Sequence, residues 1–197
     1  MRNLFALAAL ILVAGGFSPA VAADQSKPIE QLAPADKAEN RLDKLFADLK
    51  RERNEKAAER IAGQIWEQWF KSGSASIDLM MMWAQRAIEQ QKYDVALDFL
   101  DEVITLSPTY AEGWNRRATL HFMMSNYSKS MSDIDHTLSL EPRHFGALSG
   151  MAQILKASGK KELALRAYQQ VLDIYPMMRS AQTEVATLSE ELAGEGI

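Results

Sequence analysis

Apolar residues recur every three or four positions along most of this chain, which is the spacing that places them on one face of an α-helix. The first such face carries Leu42, Leu45, Phe46 and Leu49. A charged run at residues 50–56 then interrupts the apolar pattern, which resumes in a second helix. The pattern predicts an all-α chain built from consecutive helices.

Two residue types recur at one fixed spacing through the middle of the chain. The alanines are Ala84, Ala118 and Ala152, and the prolines are Pro108, Pro142 and Pro176. Their common period of 34 is the length of a helix-turn-helix unit that stacks on its neighbours to form a solenoid. Each proline stops the second helix of its unit. The spacing therefore predicts three stacked helix pairs.

A residue that tolerates left-handed backbone geometry favours the turn between the two helices of a pair. We predict that Asn126 fills this role in the second pair and that Gly159 fills it in the third. The first pair turns at Gln91 and Lys92 and lacks such a residue.

The central unit carries a distinctive set of residues. Trp114 stands near its start, Arg117-Ala118 and His121 follow in the same helix, and Pro142 closes the unit. This set resembles the tetratricopeptide repeat (TPR) family, whose pattern runs from a tryptophan through small and aromatic residues to a proline. The resemblance implies a right-handed TPR solenoid of antiparallel helix pairs that acts as a scaffold for binding peptides and proteins.

The chain divides into five segments. They are a signal peptide (1–22), a flexible leader (23–35), a divergent TPR-like helix pair (36–76), three TPR repeats (77–110, 111–144 and 145–178), and a capping helix with a tail (179–197). Counting back by one repeat period places Phe46 and Trp66 where Met80 and Leu100 stand in the first repeat. We therefore expect the divergent pair to cap the stack ahead of the first repeat, as terminal repeats of a solenoid do.

The first residues have the order of a secretory signal peptide. A positive charge at Arg2 precedes an apolar run at residues 4–13 and small residues at 20–22, with cleavage expected after Ala22 or Ala23. The apolar run is shorter than the ~20 residues of a membrane-spanning helix. An uncleaved N-terminal anchor is the alternative, but the small residues favour cleavage and export.

Composition limits the partners and the chemistry. The chain has no cysteine, so disulfides, thiol catalysis and thiolate metal sites are excluded. It carries 22 basic and 26 acidic residues, a formal net charge of -4, which disfavours binding nucleic acid through its phosphates. No membrane span is expected after removal of the signal.

No group of residues in the sequence has the spacing of a catalytic, cofactor-binding or metal site. His121, His136 and His144 lack the spacing of metal-ligating histidines. His121 stands where the family carries a packing tyrosine, so we expect a core or half-buried side chain whose ring nitrogens are hydrogen-bonded locally. We therefore expect a protein that is not an enzyme and uses no cofactor or metal. The enzyme alternative would use a site near His121 and Arg117.

Arg117 occupies a position at which the family carries a buried leucine. A buried guanidinium needs a carboxylate partner, because an unpaired charge in a core costs on the order of 3 to 5 kcal/mol. We predict that Arg117 pairs with an acidic side chain of the second helix of its unit, with Asp133 as the first choice.

The resemblance also implies which side chains line the concave groove, because the first helix of each TPR pair faces it. In this chain those residues are Met81, Met82, Gln85, Ile88, Asn115, Arg116, Thr119, Phe122, Met123 and Gln153. The methionines, Ile88 and Phe122 are expected to form an apolar strip that suits an extended peptide or an amphipathic helix. The strip is either open or covered by the N-terminal helix pair, the closing helix or a second copy of the chain.

The family's clamp for a partner's terminal carboxylate is not matched here. Asn115 stands one place early, and Thr119 stands where a basic residue would help. Arg116 is therefore expected to be a single anchor at the edge of the strip.

The signal peptide, together with segments 114–118 and 141–148, makes the chain similar to small periplasmic TPR proteins of alphaproteobacteria. The resemblance implies a periplasmic TPR scaffold that binds a protein or peptide partner in its groove and supports cell-envelope integrity or assembly. The alternative is a periplasmic holding or assembly factor for exported proteins, which the methionine strip favours. A homo-oligomer is compatible with both functions.

Overall fold

The computed structural model of the protein describes residues 34–195, with side-chain surroundings for residues 40–194. The predicted signal peptide and nearly all of the predicted leader lie outside that range. Nine helices are described: α1 (Pro34–Arg51), α2 (Glu55–Trp69), α3 (Ala75–Glu89), α4 (Tyr93–Leu106), α5 (Ala111–Met123), α6 (Tyr127–Leu140), α7 (Phe145–Ala157), α8 (Lys161–Ile174) and α9 (Arg179–Glu195). Residues 34–195 contain no β-strand, which confirms the predicted all-α fold, and none of their helices is long and apolar enough to cross a membrane.

The repeat period is visible in the helix boundaries. The helices α5, α7 and α9 begin at Ala111, Phe145 and Arg179, so their first residues are one repeat period apart. The helices α4, α6 and α8 also begin one period apart, and each ends just before the proline predicted to stop it. The helices pair closely as α3–α4, α5–α6 and α7–α8, so the expected TPR solenoid is confirmed.

One left-handed residue follows the first helix of each repeat, and these residues recur with the repeat period as Gln91 (φ 58°), Ser125 (φ 60°) and Gly159 (φ 73°). The residue after each one donates its backbone N–H to the carbonyl five positions earlier, as Lys92 does to Ala87 at 2.9 Å. The prediction for Gly159 is confirmed. The prediction for Asn126 is wrong by one position, because this hydrogen-bonded turn requires the left-handed residue at Ser125.

Small residues lie where consecutive helices approach each other. The repeated alanines Ala84, Ala118 and Ala152 are all buried. Gly113 allows a similar approach between repeats, because a Cβ added there would lie 2.9 Å from Cγ1 of the fully buried Val103. The first helix of one repeat thus packs directly on the second helix of the repeat before it.

The N-terminal hairpin α1–α2 packs against the last helices of the chain. Its buried side chains share one hydrophobic cluster with those of α7, α8 and α9, whereas the cluster of α3 and α4 contains none of them. Two ion pairs join the hairpin to the same end of the chain. Asp43 of α1 pairs with Arg143, just before α7, at 2.6 Å, and Glu55 of α2 pairs with Arg179 of α9 at 2.7 Å. The expectation that this hairpin caps the stack ahead of α3 is therefore wrong.

The aromatic residues of α2 explain this docking. Trp66 and Trp69 contact the ring of Phe145 at the start of α7, with centroids 5.5 and 5.0 Å apart. Trp66 also lies over Gly146, where an added Cβ would come within 2.7 Å of the indole ring. The glycine leaves the space that the ring fills. Repeat spacing identifies helices but carries no information about such a long-range fit.

We predict that Gly113→Ala lowers the free energy of unfolding by about 1 to 3 kcal/mol, because the new methyl group overpacks the contact with Val103. Gly63→Ala is the matched control, since Gly63 is exposed within α2 and an added Cβ meets nothing within 4 Å. That change should stabilise by up to about 1 kcal/mol through helix propensity. Urea unfolding followed by circular dichroism measures both, and equal effects would contradict the close packing of α5 on α4.

Candidate functional site

A cavity of about 150 Å³ opens between α5 and α7, the first helices of the second and third repeats. Gly150 helps to create this space, because an added Cβ there would meet only the side chain of Ile134, at 3.5 Å, whereas Trp66 already fills the space beside Gly146. The lining residues are Asn115, Ala118, Thr119, Phe122, Ser130, Ile134, Gly146, Ala147, Gly150 and Gln153. The buried Ala118 and Ile134 give the cavity an apolar floor, and the exposed Thr119 and Gln153 give it a polar rim.

The structure brings only part of the predicted groove together. Four of its ten residues line the cavity: Asn115, Thr119, Phe122 and Gln153. Met81 and Ile88 instead pack against the hydrophobic cluster of α3 and α4. Met82 and Met123 remain exposed, at 43% and 46%. The predicted apolar strip is therefore not one continuous surface, because several of its members turn toward neighbouring helices.

The predicted anchor Arg116 is already engaged. One terminal nitrogen donates to Oε1 of Gln85 at 2.7 Å, and the other donates to Oε1 of Glu112 at 3.2 Å. Its guanidinium also lies 5.5 Å from the centre of the Phe70 ring. Arg116 thus connects α3, α5 and the end of α2, and it is not the free anchor that the sequence led us to expect.

Glu112 is a buried carboxylate in the first turn of α5, only 1% exposed. Besides the bond from Arg116, its Oε2 accepts from Nδ2 of Asn115 at 2.9 Å and pairs with Nε2 of His144 at 3.2 Å. The Nδ1 of His144 accepts the backbone N–H of Ala147 at 3.1 Å, which caps α7. Because Nδ1 accepts this bond, Nε2 carries the ring proton and donates it to the Glu112 side chain.

Aromatic side chains of α2 cover this polar pair. The His144 ring stacks on Trp69 at 4.0 Å between centroids and meets the edge of Trp66 at 5.4 Å. The Tyr110 hydroxyl donates to the carbonyl of Phe70 at 3.2 Å, and burial raises the pKa of this phenol. The N-terminal hairpin thus closes one end of the groove, which is one of the alternatives that the sequence left open, while the cavity beside Gly150 stays open.

The pair of Glu112 and His144 was not predicted from the sequence. The available signal is their position: His144 lies one repeat period after Tyr110, and both residues precede the first helix of a repeat. Neighbouring helix starts in a solenoid lie side by side, so polar groups there can meet. In the described part of the chain, no group of three or more His, Asp or Glu side chains is arranged to hold a metal ion.

The predicted ion pair between Arg117 and Asp133 is confirmed. Nε and a terminal nitrogen of Arg117 donate to the two carboxylate oxygens of Asp133 at 2.8 and 2.6 Å. The remaining nitrogen donates to Asp101 of the preceding repeat at 2.7 Å. These bonds, that with Asp133 foremost, raise the pKa of Arg117. The side chain therefore ties α5 both to its partner helix and to the repeat before it.

His121 is buried, as predicted, and 6% exposed. The expectation that both ring nitrogens are bonded locally is wrong, because Nδ1 finds no hydrogen-bond partner among the described residues. Burial lowers the pKa of His121, since the charged imidazolium would lose its hydration there. His121 therefore acts as a packing residue that favours its neutral form.

The chain has a relative that matches it over most of its length. A TPR repeat-containing protein of Rhizobium etli is 56% identical over 176 residues, which are 89% of this chain and 86% of that protein. Small glutamine-rich tetratricopeptide repeat-containing protein 2 of Saccharomyces cerevisiae is 32% identical over 117 residues, 59% of this chain and 34% of that protein. No family model matches the chain.

Solved structures share the fold. The first TPR of Spaghetti (RPAP3), bound to the HSP90 peptide SRMEEVD, is 24% identical with a TM-score of 0.56, covering 59% of this chain and 93% of that one. The crystal structure of MamA is 15% identical with a TM-score of 0.56, covering 70% of this chain and 81% of that one. At these identities the likeness concerns the helical architecture alone.

We predict that Arg117→Leu lowers the free energy of unfolding by about 3 to 5 kcal/mol, because Asp133 is then buried without its partner. The double variant Arg117→Leu/Asp133→Leu removes both charges and should recover most of that loss. Urea unfolding of the parent and both variants measures the effect. A single variant as stable as the parent would show that the ion pair is not needed for the fold.

We predict a pH dependence from His121. Its pKa is lower in the folded chain than in the unfolded chain, so the unfolded chain binds the proton more strongly. The contribution to stability is therefore complete above the ordinary pKa of about 6.5 and is lost as the pH falls through it. Between about pH 7.5 and 5.5 the parent should lose more stability in urea unfolding than His121→Phe does. Equal losses would contradict the prediction.

Proposed function

The chain belongs to the tetratricopeptide repeat family, and from that premise we propose that it is a scaffold whose groove binds an extended segment of a protein partner. The observation that carries this proposal is the cavity between α5 and α7. A cavity of about 150 Å³ accepts a group the size of benzene. Its apolar floor suits one apolar side chain of a partner, and the amide of Gln153 at the rim suits hydrogen bonds to the partner's backbone.

The segment of the partner that enters the cavity carries an apolar or uncharged side chain and is not an acidic chain terminus. The HSP90 peptide bound by the Spaghetti (RPAP3) domain carries EEVD at its end. The predicted groove residue Arg116 is engaged by Gln85 and Glu112. Lys156, three residues after Gln153 on α7, is engaged by Glu184 at 2.5 Å. An acidic terminus would have to displace these partners, whereas an apolar side chain would not.

The proposed location is the periplasm, and the proposed role is support of cell-envelope integrity or assembly. The order of charged, apolar and small residues at 2–22 supports export. The similarity to periplasmic TPR proteins of alphaproteobacteria supports the envelope role, and the Rhizobium etli relative comes from that bacterial group.

A second candidate function is that of a holding or assembly factor for exported proteins. It is favoured by the exposure of Met82 and Met123, at 43% and 46%. Methionine side chains are flexible and polarizable, so they adapt to apolar segments of varied shape. Such a factor would bind many unfolded chains weakly instead of one partner tightly.

We predict that Thr119→Arg weakens binding of the partner segment at least about tenfold, because the long charged side chain enters the cavity between α5 and α7. Thr105→Arg is the matched control. Thr105 is exposed on the outer helix α4 and, like Thr119, its hydroxyl donates to the backbone carbonyl one turn earlier. The purified full chain captures partners from a cell-envelope extract, and fluorescence anisotropy with a synthetic segment of the captured protein gives the affinity.

Three outcomes separate the candidates. Loss of one defined partner with Thr119→Arg, and not with Thr105→Arg, supports the groove as the binding site. Capture of many unfolded proteins that is weakened by Met82→Glu supports the holding factor. Capture that is unchanged by both Thr119→Arg and Met82→Glu rejects the groove.

A further inference from the structure

The first helix of a later repeat uses one row of side chains to pack on the repeat before it. In α5 this row is Gly113, Arg117, Leu120 and Met124. Gly113 lies against Val103 of α4, and Arg117 pairs with Asp101 of α4 at 2.7 Å. Leu120 is fully buried in the hydrophobic cluster of α3 and α4, with Met124 packed against it. The row is therefore the surface through which repeats stack, here called the stacking face.

The stacking face of α3 lies one repeat period earlier and comprises Leu79, Trp83, Arg86 and Gln90. Leu79 and Trp83 are 38% and 40% exposed. One period later, the counterpart of Leu79 is the buried Gly113, and the counterpart of Trp83 is Arg117, which is engaged in ion pairs. No described helix covers this face, because α1–α2 packs on α7, α8 and α9 instead. The described solenoid thus ends at α3 with an unoccupied stacking face.

The neighbouring helix α4 extends this surface with a second row, which comprises Val95, Phe99, Glu102 and Leu106. Val95 and Leu106 are 39% and 59% exposed. The ring of Phe99 contacts that of Trp83, with centroids 5.5 Å apart, so the two rows form one patch with an aromatic centre. A contiguous exposed apolar patch on a protein marks an interaction site.

We propose that the stacking face of α3, with the adjoining row of α4, binds the same face of a second copy of the chain in a two-fold symmetric dimer. Charge placement favours this partner. Arg86 lies about 4.5 Å along the helix axis from Trp83, toward the turn between α3 and α4, and Glu102 lies the same distance from Phe99 in the opposite direction. Neither charged residue forms an ion pair with another described residue.

A two-fold axis that lies in this face, crosses the line from Arg86 to Glu102 at its midpoint and is perpendicular to that line matches the charges. It places Arg86 of each copy opposite Glu102 of the partner subunit, so two ion pairs form. The aromatic contact of Trp83 with Phe99 then lies at the centre of the interface. The face is therefore complementary to itself, which is the requirement for a two-fold interface.

The other end of the stack does not offer a comparable surface. The helix α9 closes it, with Leu188 buried and with Thr183, Ser189 and Glu190 exposed. A head-to-tail arrangement would place the apolar patch of α3 and α4 against these polar side chains. The symmetric arrangement avoids that cost, because it buries apolar side chains against one another.

The size of the face sets the expected strength of the dimer. Two neighbouring helices of 15 and 14 residues are about 21 to 22 Å long and lie about 8 to 10 Å apart. The area buried per copy is then on the order of 500 Å², at the low end for specific interfaces. We expect a dissociation constant in the micromolar range, within about 1 to 500 µM.

Sedimentation velocity of the full chain, from about 1 to 500 µM, tests the proposal. We expect a reversible dimer, and Leu79→Glu should weaken it at least about tenfold by placing a charge in the apolar patch. Leu163→Glu is the matched control, because Leu163 is 43% exposed on α8, away from this face. Since both leucines are exposed, both variants should keep the parent's circular dichroism spectrum.

Exchange of the charges tests the symmetric arrangement itself. Arg86→Glu and Glu102→Arg should each weaken the dimer, because like charges then face each other. The double variant should restore it. A chain that is monomeric at every concentration would overturn the proposal. A dimer insensitive to Leu79→Glu, or one that the double exchange does not restore, would overturn it too.

Discussion

The docking of α2 on the start of α7 is the contact on which the rest of the arrangement depends. Trp69 stacks on His144 with centroids 4.0 Å apart, and Trp66 fills the space that Gly146 leaves open. This cover keeps Glu112 at 1% exposure. A buried carboxylate is tolerated only when it is paired and hydrogen-bonded, and donors from α5 and α7 supply those bonds. The aromatic cover and the polar pair therefore stabilise each other.

This docking shapes both surfaces of the solenoid that are proposed to bind partners. It closes the groove at Gly146 and leaves the cavity beside Gly150 as its open part. It also packs α1–α2 against α7, α8 and α9 instead of α3, so that Trp83 and its row on α3 remain exposed. One non-local contact thus leaves two surfaces exposed: a groove that suits a peptide and an end face that suits a second copy.

Most of the fold could be predicted from the repeat period of the sequence, because the helix pairs repeat similar short-range contacts. The helix boundaries and the pair of Arg117 with Asp133 follow from positions within one unit. The docking of α2 does not, since Trp66 and Gly146 are more than two repeats apart in the sequence and their fit depends on shape. The pair of Glu112 with His144 beneath that cover was not predicted either, although both residues lie at neighbouring helix starts. The methionine strip was overestimated because the residue type at a groove position does not show that Met81 turns inward.

Cysteine cross-linking tests the docking most directly, because the chain has no cysteine of its own. Glu55→Cys/Arg179→Cys places two thiols where an ion pair now joins α2 to α9 at 2.7 Å. Glu67→Cys/Trp83→Cys places them one repeat period before the ion pair of Asp101 with Arg117, where a hairpin stacked on α3 would bring them together. Docking on α7 predicts that a short bismaleimide joins the first pair rapidly within one chain and leaves the second pair unlinked. Rapid linking of the second pair, with none of the first, would contradict it.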